Sequence, residues 1–265
     1  MSNVSEVLAR TKAEGRAALI GYLPAGFPSV EQSIEAMVAL AEDGADIIEV
    51  GLPYTDPLMD GPVIQNAATK ALEGGVRVSN VFDAAKAITD AGSAAVVMTY
   101  WNPVLRYGVE KFANDLQASG ASGLITPDLV PDEGADWIAA SDSRGLDRIF
   151  LVAPSSTPER LASTTAATRG FVYAASLMGV TGARASVGEA AQVLVERTRE
   201  VTDLPICVGL GVSTPDQAAQ VAQFADGVIV GSALVRCLLE AETFEAGLQE
   251  LRELTRELAA AVRRS

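Results

Sequence analysis

A carboxylate stands inside the apolar run Ile47-Ile48-Glu49-Val50-Gly51, where a buried strand should carry hydrocarbon. Burying an ionised carboxylate without a partner is costly, or it forces the group to keep its proton, so Glu49 reads as a titrating side chain. The chain then turns through Pro53, Asp56, Pro57 and Asp60. The prolines fix that turn, and the aspartates add acidic groups beside it. The competing structural explanation is a Glu that reaches solvent from a strand end, with Asp56 and Asp60 serving as turn residues. Histidine is absent from all 265 residues, which removes Ser-His-Asp triads, Cys-His pairs and His-ligated zinc. Proton transfer therefore falls to Asp, Glu, Tyr, Lys or Cys, and Glu49 with Asp60 is the simplest acid and base pair. Magnesium on Asp56, Asp60 and Asp128 would need oxygen ligands in an established spacing, which this proline-interrupted sequence lacks. No metal is assigned.

The elements that must hold these groups recur along the chain. Short apolar, β-branched runs occupy residues 18–23, 46–51, 94–100, 122–126, 148–153, 170–175, 205–210 and 226–231. Stretches with apolar residues three and four apart lie between them, as at 30–42, 81–91, 158–168 and 186–201. Continuous apolar strands alternating with amphipathic helices imply a parallel sheet covered by helices. Eight such units in a chain close to 250 residues favour an α/β fold of the (β/α)8 TIM barrel type. The expected organisation is a single domain over residues 1–265, with extra helices at 4–14 and 241–262 capping or flanking the barrel. An open doubly wound sheet is the alternative. It is disfavoured because no G-x-G-x-x-G turn follows the first strand. Thr157-Pro158 and Thr214-Pro215 each predict a capping residue followed by Pro at the first helical position.

Composition narrows the function. Hydrophobic residues make up 49% and charged residues 20%, a globular balance. The formal charge of −14 argues against a nucleic-acid partner, which requires clustered Lys and Arg. Cys207 and Cys237 both lie in apolar runs and read as core residues of a reducing compartment. The N-terminal residues lack an apolar signal core and no run approaches a membrane span, so a cytoplasmic location with no membrane contact is expected.

In a barrel of this kind chemistry sits at the C-terminal ends of the strands. The residues after the apolar runs are Tyr22, Glu49, Asp60, Tyr100, Asn102, Asp128, Tyr173, Gly209, Gly211, Gly231 and Ser232. Three late exits are rich in glycine: Gly179-Val180-Thr181-Gly182, Gly209-Leu210-Gly211 and Gly231-Ser232. Glycine lets backbone N–H groups approach an anion, and the seventh and eighth exits are where such barrels hold phosphate. Arg184 is the basic residue near them, so amides and the Ser232 hydroxyl must do most of the holding. Tyr22, Tyr100 and Tyr173 offer aromatic faces and hydroxyls to a planar substrate, or else are core tyrosines bonded to backbone.

Six motifs stand out together: the stretch from Glu49 to Pro62, Met98-Thr99-Tyr100-Trp101-Asn102-Pro103, Pro127-Asp128-Leu129, Phe150-Leu151-Val152-Ala153-Pro154, Gly179-Val180-Thr181-Gly182, and the stretch from Asp226 to Ser232. With them the chain resembles the tryptophan synthase α-subunit family over nearly its whole length. The resemblance implies a (β/α)8 lyase that splits indole-3-glycerol phosphate into indole and glyceraldehyde 3-phosphate, in tryptophan biosynthesis. It implies Glu49 as general acid and base, Asp60 as acceptor of the indole N–H, and Tyr173 beside Glu49. Gly182, Gly211, Gly231 and Ser232 would hold the phosphate, with Thr181 and Leu210 in the same substrate pocket and Tyr22 and Tyr100 lining its indole end. No cofactor is implied in this chain. Pyridoxal phosphate (PLP) belongs to a partner β subunit, met at Pro53, Asp56, Asn102 and Asp128 in an assembly of two α and two β chains. The loops at 53–60 and 179–186 would close over substrate. Met59, Leu210 and Phe27 depart from the common family pattern, which bears on pocket shape and loop closure. Two other readings are a subunit that chiefly binds and activates its partner, and an isomerase of sugar phosphates on the same fold.

Overall fold

Alternate residues along the apolar strands face two different cores, which is why the runs carry no polar alternation. In a computed structural model that describes residues 3–175, 187–209 and 211–263, Leu19, Ile48 and Val50 belong to the cluster packed under the helices. Ala18, Ile20 and Ile47 belong to a second cluster, with Val96, Ile125, Ile149, Phe171 and Cys207. That second cluster is the filled interior of a barrel, so each strand is buried on both faces.

The strands are β1 (Ala18–Pro24), β2 (Ile47–Gly51), β3 (Ala94–Met98), β4 (Gly123–Ile125), β5 (Asp147–Ile149), β6 (Leu151–Val152), β7 (Val172–Ala175), β8 (Ile206–Gly209) and β9 (Gly227–Val230). All neighbours pair in parallel, in the order β5-β4-β3-β2-β1-β9-β8-β7-β6. The two ends of that order, β5 and β6, are separated along the chain by Phe150 alone. β5 pairs with β4 while β6 pairs with β7, so one stretch of chain closes the sheet on itself. The apolar run expected at 148–153 is thus one barrel position whose pairing changes sides at Phe150. Counted this way the barrel has the eight positions that the sequence predicts.

Helices follow the strands on the outside: α2 (Val30–Glu42), α3 (Pro62–Glu73), α4 (Val78–Asp90), α5 (Trp101–Tyr107), α6 (Val109–Ala118), α7 (Ala135–Arg144), α8 (Pro158–Ala167), α9 (Val187–Arg199), α10 (Pro215–Ala222) and α11 (Ser232–Glu240). The two predicted Thr-Pro starts are present. The Thr157 side chain accepts from the Arg160 amide and that of Thr214 from the Gln217 amide, each with Pro at the first helical position. The terminal helices do different jobs. α1 (Val4–Ala13) is started by Asn3 and Glu6 in a reciprocal cap. It then inserts Val4, Val7 and Leu8 into the barrel's interior cluster, and so plugs the end away from the strand exits. α12 (Phe244–Ala261) packs on α11, α10 and α2 in the outer layer. Arg252 of α12 bonds Glu42 and Asp43 at 2.9 and 2.6 Å.

Because Leu8 is fully enclosed, Leu8→Ala leaves a cavity under the plug and should cost about 2–4 kcal/mol of stability. Urea denaturation measures this; a loss under about 1 kcal/mol would mean that α1 does not seal the barrel.

Candidate active site

Glu49 lies in the middle of β2, opposite Tyr22 of β1 and Val96 of β3. Its parity along the strand is that of Ile47, so its side chain enters the barrel rather than the helix layer. Its exposure is 1%, and its Oε2 has no hydrogen-bond partner among the described residues. Solvent access for a strand-end Glu is therefore ruled out by the position. Burial, reinforced by the nearby charge of Asp60, pushes Glu49 up to about 8 from an ordinary value of 4.5. Near neutrality it is a carboxylic acid with a proton to give.

Asp60 reaches the same cavity from the loop after β2. Burial raises it above its ordinary value, and a hydrogen bond from Tyr100 opposes that rise. The Tyr100 hydroxyl donates to Asp60 Oδ1 at 3.2 Å and accepts from the amides of Leu58 and Met59 at 3.1 and 3.0 Å. Tyr22, the β1 register partner of Glu49, and Tyr173 of β7 line the same cavity, and burial raises both phenols well above their ordinary range. Their hydroxyls fit because two strand positions have no side chain. A Cβ on Gly51 would come within 2.4 Å of the Tyr22 hydroxyl, and one on Gly209 within 2.2 Å of the Tyr173 hydroxyl.

These groups open on a cavity enclosing about 750 Å3, its mouth included. Met59, Ile64, Met98, Leu151, Val212 and Ile229 give it an apolar wall, suited to a flat hydrocarbon ring. Gly211, Ser213, Gly231 and Ser232 also line it, where α11 begins without a side-chain cap on its first amides. No Lys or Arg lines the cavity among the described residues, and what these residues offer an anion is amides and hydroxyls.

Of the sequence-derived candidates, the structure gathers Tyr22, Glu49, Asp60, Tyr173, Gly211, Gly231 and Ser232 around one space. Tyr100 stands behind the loop that carries Asp60 and is not on the cavity wall. Thr181, Gly182, Leu210 and the 179–186 loop lie outside the described residues. Asp56, Asn102 and Asp128 are exposed near the mouth, whereas Pro53 is buried and shapes the loop from beneath. The three aspartates considered for magnesium go to separate partners. Asp56 accepts from Thr55, Asp60 from Tyr100, and Asp128 from the Trp101 amide at the start of α5. Phe27 is buried below Lys70, and Met59 faces the cavity. Sequence reasoning did not single out Met98, Leu151 and Ile229 as wall residues. Their signal was strand parity: each lies an even number of residues from an interior position on its own strand or strand pair.

The proton on Glu49 has a consequence for stability. The unfolded chain releases it near 4.5 and the folded chain holds it to about 8, so between those values the folded state binds more proton. Stability from this group is complete below 4.5 and is lost as pH rises toward 8. Glu49→Gln, neutral at every pH, should therefore gain on the parent by on the order of 1.4 kcal/mol per pH unit in that window. Urea unfolding at several pH values checks this, and parallel profiles for the two proteins would contradict it.

The arrangement matches known proteins closely. A family model described as tryptophan synthase alpha chain matches residues 8–263. The tryptophan synthase alpha chain of Mycobacterium marinum is 64% identical over 252 residues, covering 95% of this chain and 91% of that one. That of Mycobacterium tuberculosis is 63% identical over 262 residues, covering 99% and 95%. A solved structure of M. tuberculosis tryptophan synthase superposes with a TM-score of 0.92 at 62% identity, covering 100% of this chain and 99% of its counterpart. The subunit alpha structure from Legionella pneumophila gives 0.88 at only 31% identity, covering 99% and 98%. The barrel is thus retained where most side chains differ, and the chain belongs to the tryptophan synthase alpha chain family.

Proposed function

We propose that Glu49, Asp60 and Tyr173 carry the chemistry of this site, on a single barrel domain spanning the whole chain. As a member of its family the protein is a lyase that cleaves indole-3-glycerol phosphate to indole and glyceraldehyde 3-phosphate. The family favours this reading over a sugar-phosphate isomerase, and an activating role toward a partner is compatible with it. The observation that carries the residue assignment is the buried Glu49 carboxyl, its Oε2 without a partner among the described residues, on one cavity with an apolar wall and the start of α11.

The bond to be broken joins indole C3 to the glycerol carbon that bears a hydroxyl. Aromatic C3 is a poor leaving group until it takes a proton, and Glu49 supplies it. The resulting indolenine carries positive charge at nitrogen, and the Asp60 carboxylate accepts the N–H there and stabilises that charge. Glu49, now a carboxylate, removes the glycerol hydroxyl proton. The carbonyl forms, the carbon-carbon bond breaks and its electron pair returns to the ring. Indole leaves with the new hydrogen at C3, and Glu49 has its proton back. Tyr173 beside Glu49 orients the glycerol chain. Gly211, Gly231 and Ser232 hold the phosphate together with Gly182 and Thr181, while Tyr22 and Leu210 border the ring. A carboxyl with affinity near 8 suits both halves of this cycle, since it gives and regains a proton at little cost.

The mouth supports a partner surface. Leu58 is 77% exposed at the tip of the Asp60 loop, and Leu105 and Val130 are exposed on the next two exits, near Asp56, Asn102 and Asp128. A β subunit seated there would cover this apolar rim and receive indole, PLP belonging to that subunit and not to this chain. An assembly of two α and two β chains in the cytoplasm follows from the same reading. Among the described residues no helix is long and apolar enough to cross a membrane.

Indole release from indole-3-glycerol phosphate tests the assignment. Glu49→Gln should bind substrate normally and lose at least about a hundredfold in rate, the scale of general acid-base groups. In the parent, kcat/KM should fall above about pH 8 as Glu49 loses its proton, and fall at the acid side as Asp60 gains one. A near-native rate for the variant would remove Glu49 from the mechanism.

A further inference from the structure

The Tyr100 phenol is tied on every side yet absent from the cavity wall, where Tyr22 and Tyr173 both appear. Its oxygen accepts from the Leu58 and Met59 amides, at 3.1 and 3.0 Å. A phenol has one proton to donate, and with both acceptor positions filled by N–H groups that proton goes to Asp60 Oδ1, at 3.2 Å. The ring itself is held in place. Tyr54 packs against it with centroids 5.5 Å apart, and the Tyr54 hydroxyl accepts from Asn102 Nδ2 at 3.0 Å. The backbone at Tyr100 opens α5, whose first amide is held by Asp128 at 2.9 Å.

We infer that Tyr100 is a positioning residue, whose hydroxyl clamps the 58–60 loop to the third strand's exit and holds the Asp60 carboxylate in place and in its charged form. This rests on the role assigned to Asp60 above. The surroundings of Asp60 make such a clamp necessary. Among the described residues the titratable groups that feel its charge are Glu49, Tyr22, Tyr100 and Tyr173, and none of them is a cation. No Lys or Arg lines the cavity among the described residues, so the Tyr100 proton stabilises negative charge that burial disfavours. The same three hydrogen bonds order two consecutive amides of a loop whose tip, Leu58, is exposed to solvent. A tyrosine that only lined an indole pocket would have no reason to bond both the loop backbone and the acid.

Tyr100→Phe keeps the ring packed on Tyr54 and removes only the hydroxyl. The expected result is a fall in kcat of about tenfold to a hundredfold with KM little changed, the scale of a lost hydrogen bond to a charged group. The acid limb of the pH profile should move upward, because Asp60 loses the group that favours its ionised form. In the free protein the Leu58 and Met59 amides should exchange with solvent at least about tenfold faster. If those amides exchange as in the parent and the acid limb stays in place, or if the whole loss falls on KM, Tyr100 is not a clamp. Amide exchange needs no substrate, so it is independent of the catalytic assignment. Full indole release by Asp60→Asn would instead overturn the role of Asp60 and leave the exchange result to decide the clamp.

Discussion

Glu49 is buried in the upper barrel, and that burial sets its proton affinity. The same hydrocarbon that fills the barrel, from Ile20 and Ile47 to Val96 and Ile229, surrounds a carboxyl with no partner for its second oxygen among the described residues. In water such a group would be a spent anion at neutral pH. In this interior burial raises it to about 8, so that packing and the catalytic role proposed for it draw on the same buried volume. The cost is that every polar group nearby must be accommodated without becoming a partner that lowers that affinity. Gly51 and Gly209 do this by leaving space for the Tyr22 and Tyr173 hydroxyls.

Two carboxyls facing one cavity have different surroundings. Glu49 is set on a strand and fully enclosed, and its neighbour's negative charge adds to the effect of burial. Asp60 is set on a loop, half-buried, and receives a hydrogen bond that favours ionisation. One can therefore hold a proton while the other holds charge, which is the separation an acid and an electrostatic stabiliser require. The start of α11 offers amides to the same cavity, and among the described residues no Lys or Arg lines it that would depress the carboxyls.

Much of the barrel was legible in the residues because burial on both faces leaves a plain mark. Runs such as Ala94 to Met98 and Ile206 to Gly209 have no polar alternation, and the Thr157-Pro158 and Thr214-Pro215 starts are local chemistry that needs no distant partner. The division at Phe150 had no such mark. The run through 148–153 is uniformly strand-like, and only the identity of its two neighbours, β4 on one side and β7 on the other, makes it the closure of the sheet. Likewise the apolar face of α1 does not say whether it lies on the outside or plugs the bottom.

For the site, residue type was enough to mark Glu49, Asp60 and the late glycines, since a carboxylate in an apolar run and glycines at strand exits are anomalies in the sequence itself. The sequence alone could not set the proton affinity of Glu49, because that depends on hydrocarbon contributed by strands up to 180 positions away, such as Ile229. Nor could it separate Tyr100 from Tyr22 and Tyr173. All three stand in or just after apolar runs, and only the folded loop shows that the first grips Asp60 from behind while the other two face the cavity. Local pattern determines which atoms can do chemistry. Tertiary structure decides which of them are dry, which are bonded and which face the same space, because dielectric and distance are properties of the packed volume and not of the chain.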